Sequence, residues 1–236
     1  MSFQRYTGSA WTDISKVQRY TGSAWTDCEA VKRYNGSAWV DVWQNKHWLF
    51  KEGTGYMNEL SGLKFSPWTS GTVTNTANSI VAANTTETDD EGEVGSFNIL
   101  VNTSSSKQFD TSGLLEYSKM YVDMSLVRTD NISGTVFSSS AKIYLAVMFR
   151  TSSSGSVIGG EPKLVSTTPI QRTDTYGATE IRQVLEFDTS TLESGTRFLR
   201  VGLQAGNSTG FANHPTCVSD VSGMTYELRI YNMWFK

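Results

Sequence analysis

Three stretches of this chain repeat one short text at a spacing of fourteen residues, and that regularity constrains the fold more than anything else in the sequence. Phe3-Gln-Arg-Tyr-Thr-Gly-Ser-Ala-Trp-Thr-Asp-Ile14 is followed by Val17-Gln-Arg-Tyr-Thr-Gly-Ser-Ala-Trp-Thr-Asp-Cys28, and then by Val31-Lys-Arg-Tyr-Asn-Gly-Ser-Ala-Trp-Val-Asp-Val42. A faithful repeat requires one structural unit used three times. Gly8, Gly22 and Gly36 sit in four-residue turns, where glycine admits a positive φ. A tyrosine leads into each turn and a tryptophan leads out, and both rings favour a pleated, half-buried surface. Two residues separate Ile14 from Val17 and Cys28 from Val31, the commonest hairpin length. The predicted element is therefore a meander over residues 3–42, about six strands of roughly four residues.

Such strands are too short to be stable alone and must pack on another domain or on neighbouring copies. Five of the seven tryptophans (11, 25, 39, 43 and 48) lie in this region, so much aromatic area needs cover. The expectation is that Tyr6, Trp11, Tyr20, Trp25, Tyr34 and Trp39 serve attachment or oligomerisation, with a homotrimer favoured.

Residues 43–62 break the period and carry Gly53, Gly55 and Gly62. They divide the chain into repeats (1–48), a connector (49–64) and a larger domain (65–236). Six segments of that domain read as strands: 97–101, 120–128, 142–150, 181–188, 198–204 and 226–235. Met120, Val122, Met124 and Leu126 share one face of the second, with Tyr121, Asp123 and Ser125 on the other. Ile143, Leu145, Val147 and Phe149 oppose Tyr144, Ala146, Met148 and Arg150 in the third. Leu199, Val201 and Leu203 share a face of the fifth, and Leu228 and Ile230 one of the last. One apolar face per strand, with no sustained helical period, predicts an all-β chain with a two-sheet β-sandwich.

Composition excludes several functions. The chain has 18% charged residues, a net charge of −3 and no Lys/Arg run to neutralise a row of phosphates, so no nucleic-acid partner is expected. No apolar stretch approaches the roughly 20 residues of a membrane span. Cys28 and Cys217 cannot make a disulfide framework and read as buried thiols. His47 and His214 are the only histidines, too few for a His-metal site or a Ser-His-Asp triad. No phosphate-cradling glycine motif occurs, and the acidic run 88–93 lacks the alternating layout of a calcium loop. No metal, cofactor or catalytic residue is expected. Glycoside hydrolysis needs only two carboxylates, so a glycan depolymerase stays open as the enzyme alternative. The start of the chain has no signal-peptide core, and sequons at Asn35, Asn84, Asn102, Asn131 and Asn207 read as by-products of a Ser/Thr/Asn-rich composition. That combination suits a virion part made in a bacterial cytoplasm and released by lysis.

The Tyr-x-Gly-Ser-Ala-Trp-x-Asp unit resembles short repeats of bacteriophage tail and fibre proteins, over residues 3–43. The pair Val184–Leu192 and Arg197–Leu203, with the terminal segment Tyr226–Asn232, makes the larger domain resemble jelly-roll carbohydrate-binding modules and phage tail accessory domains. The resemblance implies a phage virion structural protein, tail-associated and of fibre or receptor-binding type. Its expected partners are its own copies, other virion proteins and host cell-surface polysaccharide. A capsid decoration or head-fibre protein, and a free lectin, are the alternatives. If the strands share one sheet, Tyr121, Asp123, Tyr144, Arg150, Arg182, Glu186, Arg200, Gln204 and Arg229 project from one polar face. There tyrosine rings and charged groups would suit a sugar. Tyr176, Phe211 and His214 mark an alternative site in loops.

Overall fold

A computed structural model describes residues 4–14, 17–44, 46–52, 64–65, 71–85, 100–102, 109–134, 137, 140–151, 163–173, 176–205 and 223–236. The protein is all-β: the only helical element among these residues is a single 3-10 turn at Ser112–Leu114. The chain divides into two compact units, Met1–His47 with Lys236, and Trp48–Phe235.

In the first unit the repeats form three separate two-stranded antiparallel sheets. They are β1 (Gln4–Tyr6) with β2 (Trp11–Asp13), β3 (Gln18–Tyr20) with β4 (Trp25–Asp27), and β5 (Ala30–Tyr34) with β6 (Trp39–Gln44). Tyr6, Tyr20 and Tyr34 stand opposite Trp11, Trp25 and Trp39 in register. Each turn is closed by the same backbone bond, from Thr7, Thr21 or Asn35 N–H to the carbonyl of Ala10, Ala24 or Ala38, at 2.8–3.0 Å. Gly8, Gly22 and Gly36 take φ of +94°, +95° and +103°, and a Cβ at any of them would meet no atom within 4 Å. Glycine is needed here for backbone conformation alone, since L-residues resist this region of φ.

The expected continuous meander is corrected to three separate hairpins: among the described residues no pairing joins β2 to β3 or β4 to β5. The links Ser15-Lys16 and Glu29-Ala30 contain no Gly, Asn or Asp, the residues that a two-residue hairpin turn requires at its positive-φ positions. Length alone suggested a turn, but the side-chain chemistry does not support one.

The second unit contains β7 (His47–Lys51, entering from the last residue of the first), β8 (Lys64–Phe65), β9 (Gly71–Asn75), β10 (Ile80–Thr85), β11 (Leu100–Asn102) and β12 (Phe109–Asp110). The longer strands follow: β13 (Lys119–Arg128), β14 (Ile143–Arg150), β15 (Lys163–Val165), β16 (Gln183–Asp188), β17 (Thr196–Ala205) and β18 (Thr225–Phe235). One sheet has the order β16-β13-β18-β10-β9, with β7 also paired to β18; the other runs β15-β14-β17-β11-β8, with β12 also paired to β17. The chain changes sheet between β13 and β14, β15 and β16, β16 and β17, and β17 and β18, which is jelly-roll-like.

The inward faces predicted by alternation are the ones that meet. Met120, Val122, Met124 and Leu126 of β13 join Leu185 and Phe187 of β16 and Leu228 and Ile230 of β18. Ile143, Leu145, Val147 and Phe149 of β14 and Leu199, Val201 and Leu203 of β17 close the core from the other sheet, all buried. Residues 47–51, read from the sequence as the end of the repeats and the start of the connector, form strand β7, and Leu49 and Phe50 are 1% and 4% exposed within this core. The five residues are too few to show a period, and their partner strand is the last in the chain.

Near one end of β18 the ladder with β13 slips. Asp123 pairs with Asn232 but Met124 with Ile230, so Tyr231 is an extra residue. A bulge of this kind re-aims side chains: Tyr231 and Asn232 both contribute to the outer surface of the sheet. At the opposite end Arg128 is bidentate to Asp130, with Nε 3.0 Å from both carboxylate oxygens, and also donates to the carbonyls of Ile132 and Gly134. Asp130 in turn accepts from Ile132 N at 2.9 Å and Thr225 N at 2.7 Å, which fixes the loop after β13 to the start of β18.

Candidate functional site

The outer face of the first sheet gathers aromatic and charged side chains from β7, β13, β16, β18 and the segment before β16. Tyr121 and Trp234, opposite each other on β13 and β18, stack with centroids 5.4 Å apart and planes 15° apart. Trp48 of β7 continues the group, its ring 5.4 Å from Trp234 and tilted by 46°. All three rings are half-buried. Lys51 Nζ lies 5.0 Å from the centroid of Trp48. Aromatic rings on the outside of a sheet, away from the core, are groups of the kind that stack on other flat or apolar surfaces.

A polar cluster adjoins the rings. Arg182 donates from Nε to Asp123 Oδ1 at 2.8 Å and from Nη2 to Asp123 Oδ2 at 2.6 Å. Asn232 Nδ2 donates to Asp123 Oδ2 at 2.7 Å. The Arg182 guanidinium lies 4.0 Å over the Tyr231 ring, a cation–π arrangement. Its pKa is raised, first by the bond to Asp123. Beyond it, Glu180 accepts from Ser125 Oγ and from Arg229 Nη1, both at 2.5 Å, and from Tyr231 Oη. Burial pushes the Glu180 carboxyl upward, but the bonds from Ser125 and Tyr231 and the Arg229 charge outweigh it, so its pKa is lowered. Arg229 also holds Glu227 through Nε and Nη2 at 2.9 and 2.7 Å. On the other side Lys119 pairs with Glu186 at 3.0 Å.

The nine side chains expected on one face are divided between two. Tyr121, Asp123, Arg182, Glu186 and Arg229 are brought together on the first sheet. Tyr144, Arg150, Arg200 and Gln204 belong to β14 and β17 of the second. Alternation assigns a residue to a strand's outer side but does not say which sheet the strand joins. The second group is also far less open than expected: Arg150, Arg200 and Gln204 are 2%, 8% and 0% exposed, and Tyr144 is half-buried. Gln204 accepts from Lys163 Nζ at 2.7 Å, and burial pushes the Lys163 pKa down to about 8.

Of the alternative loop site, Tyr176 is 57% exposed, while Phe211 and His214 lie outside the described residues, as do Cys217 and the acidic run 88–93. Cys28 is half-buried. Among the described residues there is no cluster of three or more metal-ligating side chains and no helix long and apolar enough to cross a membrane. Sequence reasoning missed Trp48, Trp234, Tyr231 and Glu180. Trp234 alternates outward like Tyr121 and could have been read so, whereas the other three needed the β7–β18 pairing, the bulge and the loop before β16.

In the repeats, Tyr20 and Trp25 pack with centroids 5.3 Å apart at 49°, and Tyr34 and Trp39 at 5.6 Å and 52°. The tyrosine hydroxyls of the first two hairpins donate to their own turns, Tyr6 Oη to Gly8 O at 3.0 Å and Tyr20 Oη to Gly22 O at 2.9 Å. These features define an all-β protein, a jelly-roll-like sandwich with an aromatic and ion-paired outer sheet face, carrying hairpin repeats. No protein-family model matches the sequence, and no curated protein matches it at a significant level.

Proposed function

We propose that this chain is a bacteriophage virion structural protein, a tail-associated fibre or receptor-binding component whose sandwich binds host-surface glycan without cleaving it. The observation that carries this reading is the Tyr121–Trp234–Trp48 aromatic group beside the Asp123–Arg182 pair on one outer sheet face. Sugars present apolar C–H faces that stack on aromatic rings and hydroxyls that bond to charged, oriented groups. Rings already packed against one another, and an arginine already fixed by two bonds, lose little freedom when a ligand arrives. Binding is favoured over hydrolysis because Asp123, Glu180 and Glu227 are all engaged by arginines. A glycosidase needs a carboxylic acid with a raised pKa, and that of Glu180 is lowered.

The test is competition with the particle. Purified chain should block adsorption of the phage that carries it and be retained on that host's cell-wall polysaccharide, with no release of reducing sugar. Labelling of the particle should place the chain at the tail. Capsid labelling would replace this reading with the decoration or head-fibre alternative, and retention with sugar release would replace it with a depolymerase.

A further inference from the structure

We infer that the exposed Tyr–Trp faces of the hairpin repeats are covered by the same faces of other copies of this chain, so that Met1–His47 is a self-association module. This inference is independent of the glycan reading.

Three observations carry it. The first is a deficit of cover. Every residue from Gln18 to Asp27 and from Lys32 to Trp39 is exposed, and Tyr6, Tyr20, Trp25, Tyr34 and Trp39 are 58%, 58%, 66%, 54% and 67% exposed. Two-stranded hairpins of this length are marginal at best in water. Five such rings bring on the order of 500 Å² of apolar surface per copy, a large part of the roughly 800 Å² that each partner gives to a stable interface.

The second is the pattern of drift among the repeats. The half-buried positions stay apolar (Val17 and Val31, Ile14 and Cys28), while the third repeat changes Gln to Lys32, Thr to Asn35 and Thr to Val40. Its turn is even built by different chemistry. The Thr7 and Thr21 hydroxyls donate to Ala10 and Ala24 carbonyls at 3.0 Å, whereas Asn35 Oδ1 accepts from Ser37 and Ala38 N–H at 3.0 and 2.9 Å. Yet the Tyr–Trp pair survives with nearly the same separation and tilt. A cross-strand Tyr–Trp pair supports its own hairpin, yet Tyr20, Trp25, Tyr34 and Trp39 each stay more than half exposed, so the retained rings keep apolar area that the hairpin itself does not cover.

The third is charge. The first two repeats each carry one arginine and one aspartate (Arg5 with Asp13, Arg19 with Asp27), and the third adds only Lys32 to Arg33 and Asp41. Nearly neutral units can approach their own copies without the like-charge repulsion that opposes homotypic contact. Among the described residues each hairpin is a two-stranded sheet with no third strand paired to it.

Sedimentation of the full chain across micromolar concentrations tests the inference. The wild type should sediment as a defined multiple of the chain mass, and the double variant Trp25→Ser/Trp39→Ser as a single chain with unchanged sandwich melting. Gly22→Ala, which strains the turn but touches no ring, should weaken association at least several-fold while the sandwich stays intact. A wild type that remains a single chain throughout, or a double variant that associates as the wild type does, would overturn the inference. So would a single-chain wild type whose repeat tryptophan fluorescence responds to cell-wall polysaccharide, an outcome that would assign the rings to glycan instead.

Discussion

Arg182 holds Asp123 by two parallel bonds of 2.8 and 2.6 Å, and it does so from the segment just before β16 rather than from a strand. The pair spans unequal environments: the Asp123 side chain is 11% exposed and that of Arg182 is 49% exposed. The buried member is also the acceptor for Asn232, so one carboxylate ties that segment, β13 and the bulged end of β18 together.

Asp123→Ala should therefore act on both stability and recognition. It leaves the buried Asn232 amide without this acceptor and releases Arg182 from its fixed position over Tyr231. Denaturant unfolding should show a loss of about 1–3 kcal/mol, the cost of a buried polar group deprived of its partner. Arg182→Ala should cost less stability, since that side chain is half in water. Both variants should lose polysaccharide retention.

Acid should unfold the sandwich partly through Asp130. Burial raises its pKa, but the bonds from Arg128, Ile132 N–H and Thr225 N–H outweigh that and the net shift is downward, as it is for Glu180. A carboxyl with a depressed folded-state pKa contributes stability that is fully present above its unfolded pKa and is lost as pH falls through the folded one. Unfolding followed against pH should be flat on this account through neutral pH and fall below the ordinary carboxylate values of 3.8 and 4.5. Asp130→Asn should be less stable at neutral pH and show a shallower acid limb.

Much of this fold was legible from local chemistry. The turn glycines at 8, 22 and 36 and the tyrosine–tryptophan partners around them follow from the repeat text, and the inward faces of β13, β14, β17 and β18 follow from alternation. What was not legible is non-local. Nothing in Tyr144 or Gln204 says that β14 and β17 join each other in the second sheet while Tyr121 sits in the first. Nothing in His47–Lys51 says that this short run pairs with the last strand of the chain and brings Trp48 beside Trp234. The bulge at Tyr231 is equally silent, because an inserted residue shows itself only against the partner strand. The fold class thus followed from the sequence, while the composition of the candidate site required the structure.

If the proposed glycan site lies on the first sheet's outer face and not on the second's, substitutions on the two faces must separate. The deciding measurement is binding of Tyr121→Ala, Trp234→Ala and Tyr144→Ala variants to an array of bacterial cell-surface polysaccharides, with sandwich melting measured in parallel. Tyr121→Ala and Trp234→Ala should each weaken binding about tenfold or more, equivalent to roughly 1.4 kcal/mol, while Tyr144→Ala should bind as the wild type does. Wild-type binding lost in Tyr144→Ala but retained in Trp234→Ala would contradict that placement of the site.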